Sequence, residues 1–195
     1  MLHFRRILMM GNGLPNGYTP IEFVQTNGSQ YLDTGIVPNT NTRVVMDAEL
    51  TDVPSLLDAT FFGVETTSDI NAFSFFWSGT NSLFTAEIFS ANLNRQRFSL
   101  SGKTRLSIDM SKGYIEVNGD RRSVVSGSLS TSQTLTLFCL NGLLNIKAHY
   151  ATCKFYGCKI YDGTTLVRDY VPAKNSAGTS GIYDKVNNTF KTFVE

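Results

Sequence analysis

Two histidines, three cysteines and 16 acidic side chains are what this 195-residue chain offers for chemistry. Hydrolysis of a glycosidic bond takes two carboxylates flanking that bond. The nearest acidic pairs are Glu49 with Asp52 and Glu116 with Asp120. A spacing of three puts the first pair on opposite faces of a strand, and the second straddles Asn118-Gly119, so a working pair would have to come from separate strands. Acyl transfer fares no better. His3 sits in an N-terminal arm, His149 precedes a strand, and neither accompanies a nucleophile motif of the G-x-S-x-G kind. Cys139, Cys153 and Cys158 lack the C-x-x-C spacing of a thiolate metal site, and no glycine cluster joins a strand to a helix as phosphate loops do. An odd cysteine count in a chain with no readable export signal implies reduced thiols. Cys153 and Cys158, five apart, would face opposite sides of a straight strand and not pair with each other.

Binding chemistry has one aromatic lead. On a strand covering Ile70 to Trp77, Phe73, Phe75 and Trp77 share one face while Ala72, Ser74 and Phe76 share the other. Trp77 either stacks a sugar ring at the sheet edge, as a carbohydrate-binding residue, or fills the core, where so large a side chain gains most. Tyr31, Tyr161 and Tyr170 pose the same choice.

The elements that must carry these residues are strands. Leu106, Ile108 and Met110 alternate with Arg105, Ser107 and Asp109, which is the pattern of a half-buried antiparallel strand. Asn118-Gly119 between Tyr114–Val117 and Arg121–Val125 predicts a tight hairpin, and Asp162-Gly163 predicts another between Phe155–Tyr161 and Leu166–Val171. Further strands are expected over 20–26, 29–36, 42–51, 58–65, 70–77, 82–89 and 133–140. Apolar residues nowhere recur at helical spacing for three turns, and residues 53–59 offer at most one or two turns or a loop. Short strands with turns between them argue for an all-β, two-sheet antiparallel β-sandwich. At 195 residues the chain makes one such domain, 18–195, behind a Gly- and Asn-rich hinge.

Seventeen basic against 16 acidic residues leave a formal net charge of +1, without the clustered excess that nucleic-acid binding takes. Arg5-Arg6 and Arg121-Arg122 read as solvated surface pairs. No apolar run approaches the ~20 residues of a membrane helix, and the four apolar residues after Arg5-Arg6 fall short of the roughly 7–15 of a secretory h-region. Residues 1–17 read as an arm and hinge. Leu2, Phe4, Ile7 and Leu8, interrupted by Arg5 and Arg6, are too apolar for a solvated tail and suit docking to a partner.

Two strings go further than periodicity. YTPIEFVQTNGSQYLDTGIVPNTNT (18–42) and KFYGCKIYDGTTLVRDYVPAKNSAGTSGIYDKVNNTF (154–190) resemble, in order, the opening and closing segments of concanavalin A-like (LamG-like) jelly-roll proteins of bacteriophages and gut bacteria. The resemblance implies a jelly-roll topology with first and last strands close together. It also implies a non-enzymatic phage virion protein: a head-fibre, decoration or tail-associated domain assembled in the host cytoplasm. Its partners would be other virion proteins, with host-surface or mucus polysaccharide as ligand and homo-oligomers as one form. A bacterial extracellular glycan-binding module is the alternative, and a glycoside hydrolase a further one, although the E-x-D-x-x-E strand of the best-known hydrolases with this fold is missing. No organic cofactor is expected. Laminin-G-type relatives often hold calcium at the rim, for which Asp33, Asp69, Asp162 and Asp184 are the possible donors. Turn-capping roles for Asp33 and Asp184 are the competing expectation.

Overall fold

A computed structural model describes residues 13–66, 71–89, 95–125, 127–142, 144 and 146–195. The arm residues Leu2, Phe4, Arg5, Arg6, Ile7 and Leu8, together with His3 and Asp69, lie outside the described residues. Eighteen strands are seen among those described. The first seven are β1 (Tyr18–Pro20), β2 (Val24–Gln25), β3 (Leu32–Asp33), β4 (Thr42–Leu50), β5 (Ala59–Glu65), β6 (Ala72–Ser78) and β7 (Leu83–Ile88). Next come β8 (Arg95–Phe98), β9 (Leu106–Ser111), β10 (Tyr114–Val117), β11 (Asp120–Ser123), β12 (Thr136–Leu137) and β13 (Leu140–Asn141). The last five are β14 (Lys147–Ala148), β15 (Cys153–Asp162), β16 (Thr165–Asn175), β17 (Ser180–Asp184) and β18 (Thr189–Lys191).

They form two sheets packed face to face. The larger runs β11-β10-β9-β4-β15-β16-β17-β18, with β1 on β16 and β2 on β15. The smaller runs β14-β13-β5-β6-β7-β8, with β12 joining β5 to β3. Among the described residues the pairings are antiparallel except for Asn141 with Val64 and an isolated bridge between Thr60 and Tyr150, which are parallel. The chain is therefore an all-β sandwich, as its alternation implies.

Alternation decides the core. Val44, Met46, Ala48 and Leu50 of β4 and Leu106, Ile108 and Met110 of β9 are fully buried, while Arg43, Asp47, Arg105 and Asp109 stand on the outer face. Across the gap, Phe62, Phe75 and Phe84 stack at 6.0–6.3 Å between ring centres. Burying one such aromatic removes about 150–250 Å² from water, so these rings dominate the core energetics. Bulges adjust the phase. One between Thr60 and Phe62 lets Phe61 and Phe62 both reach the core. Another, between Phe155 and Gly157, corrects the expectation for the thiols: the extra residue turns Cys153 and Cys158 to the same inner face.

All three cysteines are free and buried. Burial pushes the Cys139 thiol up to about 11 and that of Cys153 up to about 12, and raises Cys158 too, because a thiolate loses its hydration there. The native protein should therefore react slowly with a thiol reagent at pH 8. Unfolding without reductant should release all three; a count of one would mean that a disulfide had formed.

The hairpins differ in phase. Val117 pairs with Asp120 around Asn118 and Gly119, whose φ of 51° and 87° make the twist-matched turn expected there. Asp162 instead pairs with Thr165, so the second turn centres on Gly163-Thr164, one residue later than expected, with Gly163 at φ 59°. Residues 53–58 form a loop, and Ala59 already belongs to β5.

The two recognisable strings build one side of the molecule. Tyr18 and Pro20 pair with Asn175 and Ala173, Val24 pairs with Phe155, and Tyr31 bridges to Val194. Leu14 and Tyr18 pack with Phe190 on Val171, Ala173 and Tyr183, a second small core outside the large sheet. Leu14 thereby ties the hinge to the body. Exposed sheet edges invite pairing with other chains, and here the short edge strands β8 and β11 carry Arg95, Arg97, Arg121 and Arg122. Arg122 lies over the Phe98 ring at 4.2 Å and links the two sheets, with its side chain 33% exposed.

Candidate functional site

The outer face of the large sheet holds many charges, almost all of them spent on one another. Arg43 donates two hydrogen bonds to Asp109 (2.8 and 2.7 Å), and Arg105 does the same to Asp47 (2.8 and 2.6 Å). Each fork matches a carboxylate, and the hydrogen bonds raise both guanidinium pKa values. Tyr114 donates to Asp109 at 3.1 Å beneath Arg121, which pairs with Glu116. Tyr156 lies under Arg105 and donates to Glu49 at 3.1 Å; burial and that bond push its hydroxyl up to about 12. Tyr161 sits 5.3 Å from the Arg43 guanidinium, and Tyr170 is buried in the core. Glu116 and Glu49, each half of a candidate acidic pair, are thus structural here, and Asp120 is held by Arg122.

A different arrangement opens at one end of the sandwich, where three segments far apart in sequence enclose a cleft of about 480 Å³. That size falls within the roughly 300–1,000 Å³ of small-molecule pockets. The turn at Asn27-Gly28 forms one wall. It is fixed to the stretch before β15 by Thr26, whose hydroxyl donates to Ala151 O at 2.6 Å and accepts from Cys153 N at 3.0 Å. That stretch supplies His149, Tyr150 and Thr152, and β5 anchors it through Thr60 N–H to His149 O at 2.8 Å. His149 has φ 54°, a left-handed conformation that costs a non-glycine residue energy and so favours a site-shaping role. The ring of Tyr150 leans on Tyr31, 6.4 Å between centroids, and burial raises its hydroxyl pKa.

The third wall is the β4–β5 loop, with Asp52, Pro54, Leu57 and Asp58 on the cleft. Trp77 holds it from below. The indole is 5% exposed, packs edge-on against Phe84 at 5.0 Å and donates its N–H to Pro54 O at 2.9 Å. Both ring faces are committed to the interior, which corrects the expectation of a sugar-stacking Trp77: the residue positions the loop instead. Gly79 completes the support, its N–H donating to Asp58 Oδ1 at 3.3 Å. A Cβ at Gly79 would stand 2.3 Å from Leu57 O, a backbone atom that cannot step aside. Gly79→Ala should therefore displace the loop, shifting the amide resonances of residues 52–58 while circular dichroism keeps its β signature.

Asn27 Oδ1 accepts from the Ser29 N–H at 3.1 Å and from the Ser29 hydroxyl at 3.0 Å, but most of the cleft's other polar side chains are not spent. Among the described residues the Asp52 carboxylate, the hydroxyls of Tyr150 and Thr152 and the His149 ring have no hydrogen-bond partner, and Asp58 keeps one oxygen unpaired. Sequence reasoning noted His149 and Asp52 without joining them, and missed Asn27, Asp58, Tyr150 and Thr152 as a set. The turn signal at Asn27-Gly28 was the only local clue.

Of the four expected calcium donors, Asp69 lies outside the described residues and the other three accept hydrogen bonds from within the protein. Asp184 is fully buried and accepts from the backbone N–H groups of Asp169 (3.2 Å) and Val186 (3.0 Å) and from Asn187 Nδ2 (2.7 Å), with Arg168 at 3.5 Å. Asp33 caps its own turn through Gly35 N–H (2.8 Å) and accepts from the Thr134 hydroxyl (2.9 Å). Asp162 accepts from Asn39 Nδ2 at 3.3 Å. No group of three His, Cys, Asp or Glu side chains able to hold a metal occurs among the described residues. No protein-family model, no curated protein and no solved structure matches the chain.

Proposed function

We propose that this domain is a non-enzymatic glycan-binding module of a phage virion protein, and that the end cleft is its binding site. The observation that carries the reading is the contrast in hydrogen bonding: charges on the sheet face are paired within the protein, whereas the cleft presents acceptors and donors with no internal partner. Sugar hydroxyls supply partners of both kinds, and Tyr150, Pro54 and Leu57 offer apolar contact to a pyranose face. The virion setting, the jelly-roll topology and membership of the concanavalin A-like family rest on the two strings at 18–42 and 154–190. An arm at residues 1–12 would dock to other virion proteins, leaving the body, now including Leu14, displayed.

A glycan array with the full chain is the direct test, repeated with Tyr150→Ala. Loss of one aromatic contact at a binding hot spot typically costs about 1–3 kcal/mol, so signals should fall tenfold or more while the melting midpoint holds. Asp52 and Asp58 also line this cleft, which gives hydrolysis a concrete alternative. Reducing-sugar release from any bound glycan, abolished by Asp58→Asn, would replace the binding reading with an enzymatic one. Particles assembled with a chain lacking residues 1–12 should lose the domain; full incorporation would refute docking through the arm.

A further inference from the structure

We infer that the cleft selects its glycan by charge, binding amino sugars more tightly than neutral sugars and neutral sugars more tightly than acidic ones. This rests on the cleft being the ligand site. Two carboxylates, Asp52 and Asp58, line it, and among the described residues no lysine or arginine does. On the outer face of the large sheet, by contrast, Asp47 and Asp109 are each neutralised by a guanidinium at hydrogen-bond distance. The Asp52 carboxylate has no such partner among the described residues, and Asp58 accepts only the uncharged Gly79 N–H at 3.3 Å.

A concave wall concentrates the field of these two charges on whatever enters. An ammonium on the sugar ring would meet uncompensated negative charge, whereas a uronate or sulfate would meet like charge while surrendering its hydration. Coulomb's law puts one unit charge about 5 Å from a partly solvated carboxylate at roughly a tenfold change in binding. A neutral sugar feels neither effect and binds through its hydroxyls alone.

The test is calorimetric titration of the full chain with tetramers of glucosamine, N-acetylglucosamine and galacturonic acid, at low salt and in 0.5 M NaCl. The expected order is glucosamine, N-acetylglucosamine, galacturonic acid, with steps of about tenfold that shrink at high salt as screening shortens the field. Asp52→Asn should narrow the first step and raise galacturonate affinity, and Asp58→Asn, whose amide oxygen still accepts from Gly79, should do the same. Equal affinities for all three, or a preference for galacturonate, with binding still abolished by Tyr150→Ala, would overturn charge selection and leave the cleft as the site. Binding that ignores Tyr150→Ala, or no binding by any tetramer, would overturn both.

Discussion

Replacing Trp77 by alanine should cost about 3–5 kcal/mol of stability, the usual price of an aromatic removed from a packed core. The ring is 5% exposed, abuts Phe84 and belongs to the central cluster, so the surrounding β-sheets can collapse only partly into the gap. The change also removes the donor to Pro54 O and with it the brace under the cleft loop. Urea denaturation read by fluorescence would lose its only tryptophan signal, so circular dichroism is the appropriate probe. A midpoint within the error of wild type, accompanied by lost glycan binding, would restore Trp77 as a surface platform and contradict the packing described above. Trp77→Phe separates the two roles: most of the core volume is kept, the hydrogen bond to Pro54 is not, and binding should suffer more than stability.

Asp184→Ala should be comparably severe. Its carboxylate is fully buried, receives two backbone N–H groups and the Asn187 amide, and faces Arg168, whose side chain is 19% exposed. Removing one partner of a buried pair strands the other, which costs about 3–5 kcal/mol. Asp33→Ala, at an exposed turn, should cost under about 2 kcal/mol by the scale of lost capping bonds. Equilibrium unfolding of the three proteins distinguishes them; equal midpoints would mean that the Asp184 network contributes nothing to holding the end of β17 and the β17–β18 turn against β16.

What could be read from the sequence was what depends on near neighbours. Period-two alternation placed Leu106, Ile108 and Met110 inside and Arg105 and Asp109 outside, as the structure has them. Asn118-Gly119 marked its hairpin because the turn needs two residues tolerant of positive φ. Bulges were invisible, since an extra residue at Phe155/Gly157 changes which face Cys158 joins without altering composition. The short strands β8, β14, β17 and β18 were missed for a related reason: two to five residues carry too little alternation to read. Trp77 showed the limit of side-chain identity, because whether an indole stacks a sugar or braces a loop depends on what lies above it. The cleft was the least legible part. Asn27, Asp52, Asp58 and His149 come from three connections, and only the sheet pairing brings them together.

The measurement that bears most directly on the site is a ¹H–¹⁵N chemical-shift titration with the oligosaccharide that binds best on the array. The cleft predicts perturbations concentrated at the amides of Gly28, Asp52, Leu57, Asp58, His149, Tyr150 and Thr152, and silence across the paired sheet face. Shifts centred instead on Arg43, Tyr114 and Arg121 would contradict it, placing the ligand on the face whose charges this structure shows already bound to one another.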